Sequence, residues 1–95
     1  MTVATVQQKI QPILEEYGIT YAALFGSIAR GEDKRTSDVD LMVRFGKPMG
    51  MVSYMHFLNA LEHTLHKKVD LVTENSINHY VKPYILSDLK KIYEA

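Results

Sequence analysis

Cysteine is missing from these 95 residues. That absence removes a disulfide framework, a thiolate zinc site and a cysteine nucleophile together, and it is compatible with a reducing compartment. An excess of either charge is missing too: lysine plus arginine equal aspartate plus glutamate at eleven each. With no net basic field to gather phosphates, a long nucleic acid is not an expected partner. No run approaches the length needed to span a bilayer, and the polar stretch over residues 1–10 has no apolar signal core. The expectation is a soluble, cytoplasmic protein without a membrane partner. Repeats, low-complexity tracts and linkers are also absent, and a chain this short has no room for a second core, so residues 1–95 are expected to form one domain.

What is present alternates between helical and strand patterning. Val6, Ile10, Ile13 and Leu14 predict a helix over residues 5–17 ending at Gly18, with Pro12 requiring either a late start near Gln11 or a bend. A short apolar run over 19–25 reads as a buried strand, 27–31 as one or two helical turns, and the polar segment 32–37 as a surface loop. Over 38–45, Val39, Leu41, Val43 and Phe45 alternate with Asp38, Asp40, Met42 and Arg44, the signature of a second strand. Tyr54, Leu58, Leu61 and Leu65 predict a helix over 53–66, and 69–73 a third strand. Val81, Ile85, Leu89 and Ile92 form a helical stripe over 77–93, interrupted at Pro83. The expected class is α/β, a small β-sheet with flanking helices.

The chemistry concentrates in Gly26-Ser27 and, ten residues on, Asp38-Val39-Asp40 at the head of a strand. Residues two apart on a strand share a face, so both carboxylates converge while Val39 anchors the strand. Converging oxygen donors suit a hard divalent ion such as Mg²⁺ or Mn²⁺, commonly shared with substrate phosphates, and so imply a nucleoside triphosphate. The competing reading is a pair of solvated aspartates at a strand end. A glycine after a strand lets backbone approach a ligand, and Ser27 with the amides opening the next helix can cradle phosphate, although Gly-Ser after a strand is also an ordinary turn. No Walker lysine and no dinucleotide glycine fingerprint follows. Asp70, between Val69 and Leu71, needs a cation, a donor or a position at the sheet's rim, because an unpaired buried carboxylate is costly. Beside the strand of Asp38 and Asp40 it completes a triad as general base or further metal ligand; otherwise it is one half of a salt bridge.

The run Phe25-Gly26-Ser27-Ile28-Ala29-Arg30-Gly31, followed by Ser37-Asp38-Val39-Asp40-Leu41, resembles the polymerase-β-type nucleotidyltransferases. In length and layout it is similar to the minimal nucleotidyltransferase (MNT) antitoxins paired with HEPN ribonuclease toxins. The resemblance implies a polymerase-β-like fold of helices on a mixed sheet, with ATP as donor. AMP would pass to tyrosine hydroxyls of a HEPN toxin, silencing it within a hetero-oligomer. It also implies that Gly26 and Ser27 hold the triphosphate, that Asp38 and Asp40 bind Mg²⁺ with Asp70 as the family's later aspartate, and that Arg30 lies near the phosphates. A solvated surface arginine is the other reading of Arg30.

Two rival functions remain open: an antitoxin that inhibits by binding alone, and a nucleotidyltransferase acting on a small molecule or an RNA end. Intact Asp38, Asp40 and Asp70 weigh against the first, and the lack of an extra substrate domain against the second. His56, His63 and His66 have helical spacing that suits a metal pair but no evident third ligand, so they are read as solvent- or partner-facing. Tyr80, Tyr84 and Tyr93 are read as packing residues.

Overall fold

Thr2 starts the first helix. Its hydroxyl accepts the Thr5 amide at 3.1 Å, capping one of the donors that a helix start leaves open, and α1 runs Val3–Glu16. Pro12 lies inside it on the exposed face, so the helix does not wait for Gln11. Burial of Val6, Ile10 and Leu14 on the opposite face outweighs the one hydrogen bond that proline forfeits. Gly18, at φ +69°, turns the chain into the first strand, in a left-handed conformation that costs glycine least. The computed structural model describes residues 1–32, 38–73 and 87–95.

From there the chain forms β1 (Ile19–Phe25), the short α2 (Gly26–Ala29), β2 (Val39–Phe45), α3 (Met51–Leu65), β3 (Val69–Thr73) and β4 (Lys90–Glu94). The sheet order is β3-β2-β1-β4. Strands β1 and β2 are antiparallel, as are β1 and β4, whereas β2 and β3 are parallel, with α3 as the crossover that a parallel pair requires. The sheet is therefore mixed and helix-flanked, as expected.

One core joins helices to sheet: Val6, Ile10 and Leu14 meet Phe57, Leu61 and Leu65 over Ala22, Leu24, Val39, Leu41 and Val43. The α3 stripe is centred on Phe57, with Tyr54 and Leu58 at its half-buried margins. Phe57 is fully buried and its ring lies 5.2 Å from that of Tyr17 and 6.3 Å from that of Phe45.

The C-terminal expectation is corrected. Residues 90–94 are not the end of a helix but the edge strand β4, paired with β1. A register shift in that pairing falls between Ala22 and Ala23, and Ile92 sits there, buried, its carbonyl taken by the Gln7 side-chain amide at 2.8 Å. Such a bulge spoils the period of two that would have marked the strand. Of the rest of the expected helix, Ser87 and Asp88 are helical, while residues 77–86 with Tyr80 and Tyr84 lie outside the described residues, as do 33–37 of the expected loop. Among the described residues no helix is long and apolar enough to cross a membrane.

Candidate active site

Asp40 is held between two neighbours by sheet register. On one side the parallel pairing sets it beside Asp70 of β3; on the other, the antiparallel pairing sets it beside Phe25, the last residue of β1. Asp38 lies just ahead of β2, exposed, and the Val39 amide between the two aspartates donates to the Lys68 carbonyl at 2.9 Å. Asp70 is exposed on an edge strand, the rim position that avoids the cost of burying an unpaired carboxylate. The start of β3 is held by Glu62, whose carboxylate accepts the Val69 amide at 2.9 Å.

Gly26 follows Phe25 directly and opens α2 at φ +75°. A Cβ there would run into the Asp40 carboxylate, with Asp40 Cγ only 3.0 Å away. Glycine is thus required twice over, by its backbone angle and by the carboxylate pressed against it. Phe25 provides no side-chain cap for α2. The single turn is closed by the Arg30 amide on the Gly26 carbonyl at 3.1 Å and tied back by the Glu32 amide on the Ser27 carbonyl at 2.8 Å.

Charge in this corner is one-sided. Burial pushes the Asp40 carboxyl above its ordinary pKa, Asp70 and then Asp38 push it further, and Arg30 acts in the opposite direction. Arg30 is not simply solvated: Nε bonds Glu32 at 3.1 Å and Nη1 bonds Asp88 at 2.7 Å. Both bonds raise its own pKa further. Among the described residues no three His, Cys, Asp or Glu side chains are drawn together into a ready metal cage. A hexacoordinate ion shared with phosphates needs only one or two carboxylates from the protein, and the oxygen-only donors here, with the charge of Asp40 disfavoured by burial and by its neighbours, fit Mg²⁺ in that manner.

His63 and His66 are exposed, with ring centroids 6.2 Å apart, and no third ligand joins them among the described residues; Tyr93 packs half-buried against the core. An open cavity of about 420 Å³ between the end of α3 and the start of β3 is lined by Glu62, His66, Lys67 and Lys68, not by the aspartates. Sequence reasoning passed over Glu62 and Asp88. Glu62 is an ordinary helix residue until β3 folds against it, and Asp88 lies 58 positions from the arginine it contacts. Neither has a local signal.

Residues 8–95 match the family model described as polymerase beta, nucleotidyltransferase. A Methanocaldococcus jannaschii protein classed with the protein adenylyltransferases is 40% identical over 88 residues, 93% of this chain and 95% of that one. Among solved structures, a toxin–antitoxin crystal structure with AMP-PNP superposes with a TM-score of 0.79 at 23% identity, over 94% of this chain and 73% of that one. A tri-AMPylated HEPN toxin of Shewanella oneidensis in complex with an MNT antitoxin gives 0.72 at 19% identity, over 97% and 72%. At those identities the structures speak for the fold, while the family model and the sequence relative place the chain: it belongs to the polymerase-β-type nucleotidyltransferase family, on the protein adenylyltransferase branch.

Proposed function

We propose that this protein transfers AMP from ATP to tyrosine hydroxyls of a HEPN ribonuclease toxin and thereby silences it as the toxin's antitoxin. The observation that carries the reading is Asp40, paired in register with Asp70 on one side and with its carboxylate against Gly26 on the other, which puts carboxylates beside a side-chain-free turn. The relative classed as a protein adenylyltransferase and the complexes of MNT antitoxin with AMPylated HEPN toxin support the donor, the product and the partner.

In this reading Asp38 and Asp40, with Asp70 alongside, would hold Mg²⁺, which when bound would supply positive charge against the triphosphate. Gly26 leaves space for the triphosphate against the backbone, Ser27 offers its hydroxyl, and Arg30 directs a guanidinium towards the phosphates. A carboxylate oxygen of Asp70, exposed at the rim, takes the proton of the incoming tyrosine hydroxyl. The tyrosine oxygen, its proton now on Asp70, then bonds to the α-phosphorus, the bond from this phosphorus to the bridging oxygen breaks, and pyrophosphate leaves. Positioning and charge compensation account for the catalysis; no covalent enzyme intermediate is needed.

The test is the fate of labelled phosphorus. With Mg²⁺ and a HEPN toxin, ATP labelled at the α-phosphate is expected to leave its label on the toxin, and ATP labelled at the γ-phosphate is not. Labelling from the γ-position would make the protein a kinase, and labelling from neither would remove transfer to the toxin from its function.

A further inference from the structure

The single turn that carries Gly26 and Ser27 ends at Arg30, and its anchors differ in origin. The Arg30 amide on the Gly26 carbonyl, the Glu32 amide on the Ser27 carbonyl and the Glu32 carboxylate on Arg30 Nε all lie within seven consecutive residues. These bonds give the turn its internal shape but travel with it. Asp88 is different. It reaches Arg30 Nη1 at 2.7 Å from just ahead of β4, 58 residues away, and β4 is itself hydrogen-bonded to β1, the strand that leads into the turn. The pair is partly shielded, with side-chain exposures of 44% for Arg30 and 25% for Asp88. A guanidinium is a planar fork, so bonds at Nε and Nη1 set the plane of the whole group, and among the described residues its other N–H donors have no side-chain partner.

We infer that Asp88 is a positioning residue for the nucleotide: its hydrogen bond to Nη1, with Glu32 on Nε, orients the Arg30 guanidinium towards the triphosphate of ATP across the Gly26-Ser27 turn. The inference rests on the reading of the site as a nucleotidyltransferase and adds the residue that aims its cation. Arg30 already acts electrostatically on Asp40, so its charge lies within reach of the centre that Asp88 would align. Without Asp88, a long and half-exposed side chain regains rotamer freedom and must lose it again when nucleotide binds. With Asp88, that ordering is complete beforehand.

The experiment measures MgATP affinity of the full chain by calorimetry for the wild type, Asp88→Ala, Asp88→Glu, Arg30→Ala and the Arg30→Ala/Asp88→Ala double variant, with thermal unfolding alongside. Asp88→Ala should weaken MgATP binding about tenfold, on the scale of one charge-assisted hydrogen bond. Asp88→Glu should recover most of the loss, and the double variant should bind no worse than Arg30→Ala, because Asp88 acts only through the arginine. Should Asp88→Ala not fold, Asp88→Asn takes its place at nearly the same shape. Unchanged affinity on removing the Asp88 charge, or a full further loss in the Arg30→Ala background, overturns the inference and leaves the nucleotidyltransferase reading intact. A wild type that does not bind MgATP overturns both.

Discussion

At Gly26 two requirements meet in one residue: a left-handed backbone angle and a carboxylate where a side chain would grow. Gly26→Ala is therefore expected to cost about 1–3 kcal/mol of stability through strain at that angle, and in addition to displace Asp40. Chemical denaturation and MgATP calorimetry on the same preparation should show both losses; a variant as stable and as competent as wild type would contradict the packing described. Asp40 itself gives a signed pH dependence. Its pKa is raised in the folded protein, so its ionised form is less favourable folded than unfolded. That cost is absent below the carboxylate's unfolded pKa, grows as pH rises through the unfolded and then the folded value, and is constant above. In Mg²⁺-free buffer Asp40→Asn should accordingly be more stable than wild type at neutral pH, and the gap should close on acidification. A less stable variant at neutral pH would show the carboxylate to be structural. These residues were legible in the sequence because their chemistry is local, an Asp-x-Asp on one strand face and a glycine where a strand ends. The pressure of Asp40 on Gly26 was not, since it arises only when β1 and β2 pair.

Elements were readable where one periodicity acted alone. β1 was expected over the residues it occupies, and β3 likewise; α3 was expected within two residues of its start, because short runs rich in β-formers and a clear helical stripe leave little choice. β4 was missed for a physical reason: its bulge puts Ile92 and Tyr93 in successive contact with the core, and two adjacent apolar residues fit a helical stripe better than strict alternation. At Pro12 only the late start is contradicted, since helix propensity is weaker than burial of a three-residue apolar face. The helix stop after α3 was placed within one residue. There His66 adopts φ +54°, a left-handed C-cap that a side chain tolerates at some cost. His66→Gly should raise stability by about 0.5–1 kcal/mol, read as an upward shift in the unfolding midpoint. Phe57→Ala, which removes a fully buried ring between Tyr17 and Phe45, should cost about 3–5 kcal/mol. A loss well under 1 kcal/mol would mean that α3 does not pack as described.

Taken as a whole, the molecule sets the carboxylates of its proposed site on sheet register and leaves Asp70 at a rim. Asp40 and Asp70 are neighbours because β2 and β3 run parallel around α3, and Asp70 is open to a large acceptor because β3 is an edge. In the proposed function that geometry suits a protein acceptor, which brings its own hydroxyl to an exposed base, and enzymatic silencing differs from inhibition by binding alone in how long it lasts. Covalent modification outlasts dissociation, whereas inhibition by occlusion follows the concentration of the bound partner. The most direct measurement is intact-mass spectrometry, with ribonuclease activity, of a HEPN toxin incubated with this protein, ATP and Mg²⁺ and then separated from it. The toxin is expected to emerge heavier by whole AMP units and inactive, and unmodified and active after incubation with Asp40→Asn; a toxin of unchanged mass that regains activity once this protein is removed would contradict the account.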